Sequence, residues 1–579
     1  MQNQESLFQS TRSGEEDVAI AEMSEASSSE VRGAVFTRPE IVRATLDCAG
    51  YHAGSDLLAM RLLEPSFGGG EFLSVVLGRL IEAFLANGHG WNESLEVLGP
   101  RIVGVEVHKA TFLSASARLK KELQGFGANA SQAKSLTEHW LRCDDFLLTE
   151  LDGGFDFVVG NPPYVRQERI PPVLLASYKE RFSTLYDRAD LYVLFYEKGL
   201  DHLEPGGILG YVCADRWTKN KYGGPLRAKV SDGFRLSIFV DLSGIDAFTD
   251  EVEAYASITV LQASSTGADV TSLWIPDEGK AVEGSTNGES LPGLVELGRR
   301  MISVAGIVNG SDPWLLDSYE VLPVLRDIEE RFPTLEGSGA AVGIGVATGC
   351  DRVFIGDYDQ LPVEDDRKLK LVLGRNCKLD GVEWSGKGVV NPYLPCGKLV
   401  DLAEYPLLSA YFQDHEEALR KRHVAKKSPS RWYKTIDRID HALTTRAKLL
   451  VPDIKGSAMF TYEPGGYYPH HNLYVITSDE WDLLALQTVL RSSIALAFVA
   501  AYCTRMSGGY LRFQAQYLRR IRVPDYLQLS SVDRASLVTL SQGATQSEID
   551  DFVFGLYGIC GDDAQVVRTF AESSRRGKV

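Results

Sequence analysis

Between residues 36 and 263 the chain alternates two hydrophobic rhythms. Short apolar runs at 57–67, 101–107, 155–161, 207–215, 235–242 and 254–263 read as strands, most of them apolar enough to be covered on both faces. Residues 71–88, 108–123, roughly 131–141 and 189–207 instead carry apolar residues every three or four positions, the spacing of amphipathic helices. This alternation predicts an α/β domain: a doubly wound, mostly parallel sheet with helices on both faces. In such sheets ligands sit beyond the carboxyl ends of the strands. From about 265 the rhythm stops, residues 264–290 are rich in turn formers, and the remainder mixes short strands, aromatics and helices. The pattern divides the chain into a disordered acidic leader over 1–30, the α/β domain over 31–265, and a mixed α+β domain with a helical C-terminal part over 266–579.

Composition adds exclusions. Of the 579 residues 44% are hydrophobic, enough for several cores. No apolar run reaches the roughly 20 residues of a membrane helix. The leader lacks the basic and apolar blocks of a signal peptide. Eight cysteines are scattered singly with no CxxC pair, which argues against a zinc ribbon or a disulfide framework and fits reduced cytoplasmic thiols. Nothing in the pattern calls for a metal. The net charge of −18 is not that of an average nucleic-acid binder, but average charge is not the field at a cleft. Residues 420–434 and 502–524 contain no acidic side chain and include Arg422, Lys426, Lys427, Arg431, Lys434, Arg512 and Arg519. By themselves these segments read equally well as solvated basic faces.

Candidate chemistry collects at the ends of the predicted strands. Gly68-Gly69-Gly70 lets the backbone turn tightly and approach a ligand closely. The spacing is not GxGxxG and no Lys-Ser/Thr pair follows, so a pyrophosphate is not the expected guest. Glu106, ending the second strand, suits a ribose with two free hydroxyls. Asp145, followed by Phe146, can accept from an adenine amine while the ring packs on its face. A surface glutamate or a turn aspartate would look the same in isolation. Together they describe a pocket for an adenosine without a phosphate chain, and S-adenosylmethionine is the common ligand of that kind.

The fourth strand runs into Asn161-Pro162-Pro163-Tyr164. Two prolines end any ladder or helix, because neither has a backbone N–H and each fixes its own φ. The exocyclic amine of adenine is a poor nucleophile, its lone pair being delocalised into the ring. Accepting both amine hydrogens, at the Asn161 side-chain oxygen and the Pro162 carbonyl, localises that lone pair, and Pro163 helps hold the acceptors rigid. Tyr164 offers a face for an extruded base, with stacking worth about 1–3 kcal/mol against an extrusion cost of a few kcal/mol. Asparagine is too weak a base to take the proton, so the expected reaction is direct in-line methyl transfer.

On these stretches the chain resembles the TaqI-like gamma class of adenine-N6 DNA methyltransferases. FTRPEIVRATL, 36–46, is similar to the family's first cofactor motif, with Thr37 and Pro39 in place. LLEPSFGGGEFL, 62–73, is similar to its methionine-binding loop, which brings in Glu64, Pro65, Ser66, Gly68 and Gly70. Glu106 matches the ribose carboxylate, Asp145 and Phe146 the adenine pair, and Asn161 to Tyr164 the catalytic motif. Phe248 falls where the family places a second aromatic ring against the flipped base. Segments 342–355 and 450–477, and the MSGGYLRF stretch, resemble its specificity domain. The resemblance implies a Rossmann-like class I fold followed by a target-recognition domain, S-adenosylmethionine as cofactor, and double-stranded DNA bound along the basic segments. It also implies a restriction–modification or phage-defence role, with a cognate endonuclease or other defence proteins as partners and no membrane. The same motif chemistry would serve an RNA or protein-glutamine N-methyltransferase, and a methylase fold kept only for DNA recognition is a third reading.

Overall fold

The computed structural model describes residues 13–25, 36–249, 256–264, 270–277, 291–455, 459–503 and 510–575. Two compact units divide the chain between Leu316 and Asp317.

In the first unit the alternating rhythm builds one sheet. Its strands are β1 (Leu62–Glu64), β2 (Ile102–Val105), β3 (Leu141–Arg142), β4 (Phe155–Gly160), β5 (Leu203–Ala214), β6 (Phe234–Asp241), β7 (Ala256–Ala263), β8 (Val270–Pro276) and β9 (Arg299–Ala305). They lie in the order β3-β2-β1-β4-β5-β7-β6-β8-β9. β1 to β5 are mutually parallel, while β7 runs antiparallel to both β5 and β6. All residues of β1 and β2 are buried, which is why β2 reads as an unbroken apolar run and β1 as one up to Glu64. The chain moves outward from β1 through β2 to β3, then returns to the other side of β1 with β4. The order therefore reverses between β1 and β4, and that reversal opens a crevice at their carboxyl ends.

The covering helices follow the predicted stripes. The helix Glu71–Ala86 buries Phe72, Leu73, Val76, Leu77, Leu80, Ile81 and Phe84, one face at helical spacing. It starts from Gly70, whose φ of +85° is costly for any residue with a Cβ. The helix Ala130–Trp140 starts in a capping box between Asn129 and Gln132. Among the described residues no single helix is long and apolar enough to cross a membrane.

Two boundaries differ from expectation. β8 and β9 extend the first sheet well past residue 265, so the turn-rich stretch is an excursion within this unit. Loop composition signals a break in the chain, but strand pairing decides which body the next segment joins. Within the leader, Gly14–Glu25 is a helix, not a disordered segment. The Ser13 N–H donates to Glu16 Oε2 at 2.7 Å and the Glu16 N–H to Ser13 Oγ at 3.3 Å, a capping box that satisfies two orphan donors. Glu15, Glu16 and Asp17 occupy the first turn, where the helix dipole favours negative charge. The rest of the leader lies outside the described residues.

The second unit holds two four-stranded sheets. One joins Ala340–Ile344, Leu473–Ser478, Lys448–Pro452 and Thr461–Glu463; the other joins Ile355–Asp357, Lys387–Val390, Lys368–Val372 and Tyr468–Pro469. Its helices include Leu322–Arg331, Pro406–Asp414 and, toward the C-terminus, Leu483–Arg491, Ser493–Tyr502, Ser531–Ser541, Gln546–Tyr557 and Gly561–Arg575. Every residue of Ser493–Tyr502 is buried, and the buried Asp550 carboxylate caps its start, accepting from the Ser493 N–H and hydroxyl at 2.7 Å each.

Candidate active site

The carboxyl ends of β1, β2, β3 and β4 bring the expected residues to one side of the sheet. After β1 comes the loop Pro65–Gly70, with Pro65 buried and Ser66 half-buried. Glu106, directly after β2, accepts the Gly68 N–H at 2.9 Å and the His108 N–H at 2.8 Å. The carboxylate thus ties the glycine loop to the second strand and is held in one orientation. A Cβ on Gly68 would meet nothing within 4 Å, so the loop backbone borders open space beside Glu106.

Glu64 is 1% exposed, and its Oε2 finds no hydrogen-bond partner among the described residues. Burial pushes its pKa well up, and the neighbouring Glu71 and Glu106 carboxylates push further; Arg118 and the Leu73 N–H offset this in part. An orphaned carboxylate oxygen at the crevice is costly in an empty site. It suits the ammonium of an amino acid, and the surplus of carboxylates suits a ligand that also carries a sulfonium. The residues therefore fit the methionine end of S-adenosylmethionine.

Beyond β3, Asp145 is locked in a turn. Its Oδ1 accepts the Leu147 N–H at 2.8 Å and its Oδ2 the Tyr178 hydroxyl at 2.6 Å. A carboxylate oxygen has two lone pairs, so these bonds orient Asp145 without exhausting it. Phe146 is placed differently from expectation. Its ring is 2% exposed and turned into the interior, 5.1 Å from Phe195 and 5.0 Å from the Lys198 ammonium. Lys198 donates to the Phe146 and Thr149 carbonyls, so this pair buttresses the turn that carries Asp145.

β4 ends at Gly160, with φ +149°; a Cβ there would lie 3.5 Å from Glu64 Cγ and 3.8 Å from Pro65 Cδ. The two strand ends that flank the crevice are thus in close approach. Asn161 follows immediately, and its Nδ2 donates to Thr37 Oγ1 at 3.1 Å. Anchoring the nitrogen on Thr37 turns the amide oxygen the other way. Thr37 also pairs with Phe248 in an antiparallel bridge, and the Arg38 Nε donates to the Phe248 carbonyl at 3.0 Å. Thr37, expected at the cofactor, is therefore the link between the Asn161 amide and the second aromatic residue. Pro39 is exposed at the start of the helix Pro39–Cys48.

The aromatic residues meet. Tyr164 and Phe248 have ring centroids 6.1 Å apart at 77°, and Tyr192 lies 6.2 Å from Tyr164. The Tyr164 hydroxyl is buried beside the Cys213 thiol and the Ala214 backbone, and burial raises its pKa well above the usual phenol value. A base held between two rings needs parallel faces about 7 Å apart, twice a carbon–carbon contact. The edge-on packing of Phe248 on Tyr164 must open to admit one. Tyr192 and Tyr222 share a hydroxyl hydrogen bond of 2.7 Å next to this cluster. Sequence reasoning assigned no role to Tyr178, Tyr192 or Tyr222: the first two sit in helical stripes and look like core, and the third sits in a polar turn with no local signal.

The basic residues of the second unit fall into two groups. Arg422 donates to the Thr348, Leu419 and Trp432 carbonyls and covers Phe354. Arg512 pairs with Asp453, and Arg519 with Glu336 at 2.9 Å. These three are committed within the fold. Lys426, Lys427 and Arg431 are exposed, and Lys434 is half-buried near Ser428. Trp432 and Tyr433, between Arg431 and Lys434, pack on Phe412, and Arg420 covers the Trp432 ring. Met506 to Gly509 of the MSGGYLRF stretch lie outside the described residues.

Comparison with known proteins bears on this arrangement. The Eco57I restriction-modification methylase family profile matches residues 101–248, a span that holds Glu106, Asp145, Asn161 and Phe248. The chain is 47% identical over 541 residues to the Type II methyltransferase M.XhoI of Xanthomonas vasicola, covering 93% of this chain and 99% of that protein. It is 46% identical over 535 residues to the Type II methyltransferase M.PaeR7I of Pseudomonas aeruginosa, covering 92% and 93%. The solved structure of the Type IIL restriction-modification enzyme MmeI in complex with DNA shares the fold, with a TM-score of 0.51 and 14% identity over 97% of this chain and 76% of that one. Sequence identity at this level, along almost the whole of both proteins, leaves one assignment: the chain belongs to the Type II methyltransferase family of restriction–modification systems.

Proposed function

We propose that this chain is a site-specific DNA methyltransferase acting on the N6 amine of a flipped-out adenine, with S-adenosylmethionine as methyl donor. The observation that carries the reading is Asn161: it directly follows β4 at the strand-order reversal, held by Thr37, with Tyr164 and Phe248 in the same segment cluster. When bound, S-adenosylmethionine supplies an electrophilic methyl whose bond to sulfur breaks as the bond to N6 forms. Glu64 takes the ammonium of the donor, Glu106 its ribose and Asp145 its adenine amine. The Asn161 oxygen and the Pro162 carbonyl accept the two hydrogens of the target amine and localise its lone pair. Thr37 keeps the Asn161 oxygen facing the substrate rather than the nitrogen. Pro162 and Pro163 prevent the acceptors from relaxing, so little reorganisation accompanies reaction. The surplus proton leaves N6 after transfer, to solvent.

Lys426, Lys427 and Arg431 are the residues available for phosphates, which position the duplex and make binding salt-dependent. The kinship with Type II methyltransferases supports a cognate restriction endonuclease as the functional partner. Single-molecule sequencing of DNA from a host expressing the chain tests the reading. The expected result is N6-methyladenine confined to one sequence context and absent with Asn161→Ala; unmodified adenine in both hosts would overturn it.

Replacing Tyr164 by Ala should raise the DNA KM by about 10–100-fold, the value of one stacked base. A target adenine in a mismatch flips more easily, so it should recover part of that loss. Equal losses on matched and mismatched duplexes would remove the stacking role.

A further inference from the structure

The N-terminal helix Gly14–Glu25 has a placement that the fold alone does not require. It is anchored at both ends. Glu16 accepts the Ser177 hydroxyl on one oxygen and closes its own capping box with the other. Ser24 Oγ accepts the Lys109 N–H at 3.2 Å. Ser177 directly precedes Tyr178, whose hydroxyl holds Asp145. Lys109 directly follows His108, whose N–H holds Glu106. Each anchor therefore adjoins the residue that orients one of the two adenosine carboxylates. The eight steps from Glu16 to Ser24 span ~12 Å at ~1.5 Å per residue, so the helix bridges the adenine side and the ribose side of the pocket.

Its attachment is slight. Glu16 and Ala19 are covered, Ile20, Met23 and Ser24 are half-buried, and the opposite face is exposed, with Val18 59% accessible. This is a narrow stripe at helical spacing, supplemented by polar end contacts. Such an element opens locally without unfolding the body beneath it. The Glu16 carboxyl is held below its usual pKa, first by the Ser177 hydroxyl and then by the Ser13 N–H. It remains an ionised acceptor through neutral pH.

We propose that the helix Gly14–Glu25 is a cover over the adenosine end of the cofactor pocket, latched by Glu16 on Ser177, and that it slows cofactor release. The proposal rests on reading Glu106 and Asp145 as the adenosine carboxylates. Glu16 is then a positioning residue: it touches no reacting atom and acts through Ser177 and the helix that carries Tyr178.

The test is the release rate of radiolabelled S-adenosylmethionine from the full-length protein, chased with unlabelled cofactor. Glu16→Ala and Ser177→Ala should each release about tenfold faster, with kcat at saturating cofactor held and the cofactor KM raised. The double variant should be no faster than either alone, because both remove one latch. Hydrogen exchange should show amides of residues 14–25 gaining protection when cofactor binds to the wild type, and losing that gain in both variants. Release within twofold of the wild type, from variants that are folded by circular dichroism, would overturn the cover while leaving the pocket assignment intact. Undiminished binding by Glu106→Ala and Asp145→Ala would overturn the pocket and the cover together.

Discussion

Asn161→Ala is expected to lower the rate of methyl transfer by about 10²–10³-fold, because it removes a preorganised polar partner of the reacting centre, while cofactor affinity stays within about threefold. The separation follows from geometry. Asn161 stands on the far side of the β1–β4 crevice from Glu106 and Asp145, and its Nδ2 donates to Thr37. In the proposed reaction the residue meets the target amine, not the adenosine. Asn161→Asp keeps an acceptor in place but loses the N–H that Thr37 orients, so its loss should be smaller, about 10–100-fold. Single-turnover rates with preformed cofactor complex, alongside calorimetric titration of cofactor, measure both quantities. A variant that still turns over near the wild-type rate would remove amine activation from the mechanism. A variant that no longer binds cofactor would place Asn161 in the wrong pocket.

Glu64→Gln should do two opposite things. A charge-assisted hydrogen bond is worth about 1.5–3 kcal/mol, so its loss should weaken S-adenosylmethionine by about 10–100-fold. The same change should stabilise the empty protein at neutral and alkaline pH. The sign follows from the raised pKa. Unfolded, Glu64 ionises near 4.5, whereas in the fold burial and the adjacent Glu71 and Glu106 favour the neutral acid. The stability this group contributes is fully present below 4.5 and is lost as pH rises through its folded value. Gln stays neutral and avoids that loss, so wild type and variant should converge in acid and diverge above it. Cofactor binding to the wild type should weaken as pH falls, because the proton competes with the ammonium; the variant should lack that dependence. Thermal unfolding with and without cofactor across pH reads all of this. A variant less stable than the wild type at pH 8, with undiminished affinity, would show that Glu64 is not a ligand-facing carboxylate.

Much of this arrangement was legible before any coordinates. β2 is covered on both faces, so its apolar run is uninterrupted and hard to mistake, and β1 is apolar up to Glu64. Glu106 and Asn161 stood out as candidates because each directly follows a strand, and Asp145 because it lies three residues past one, where the topology places ligands. The Ser13-to-Glu16 capping box was equally local and equally legible. The expectation of disorder rested on the polar, acidic composition of the leader alone, which describes a segment's average and not its start signal. Residues 270–276 and 299–305 were hidden for a different reason: they sit among turn formers, and only their pairing shows that they are strands.

What the sequence determined by itself was the alternation of elements, the strand ends that hold the candidate residues and the rigid carboxamide turn, since all of these depend on neighbours a few positions apart. Only the tertiary structure decided that Thr37 would orient an amide 124 residues away, or that Tyr178 would hold Asp145 from 33 residues away. It also decided that Phe146 would face inward and that Arg422, Arg512 and Arg519 would be committed to carbonyls and carboxylates within their own unit. A hydroxyl, a ring or a guanidinium has the same local signature whether its partner is a ligand, solvent or another part of the chain. The partner is chosen when distant segments pack, by burial and by the need to satisfy each buried polar group.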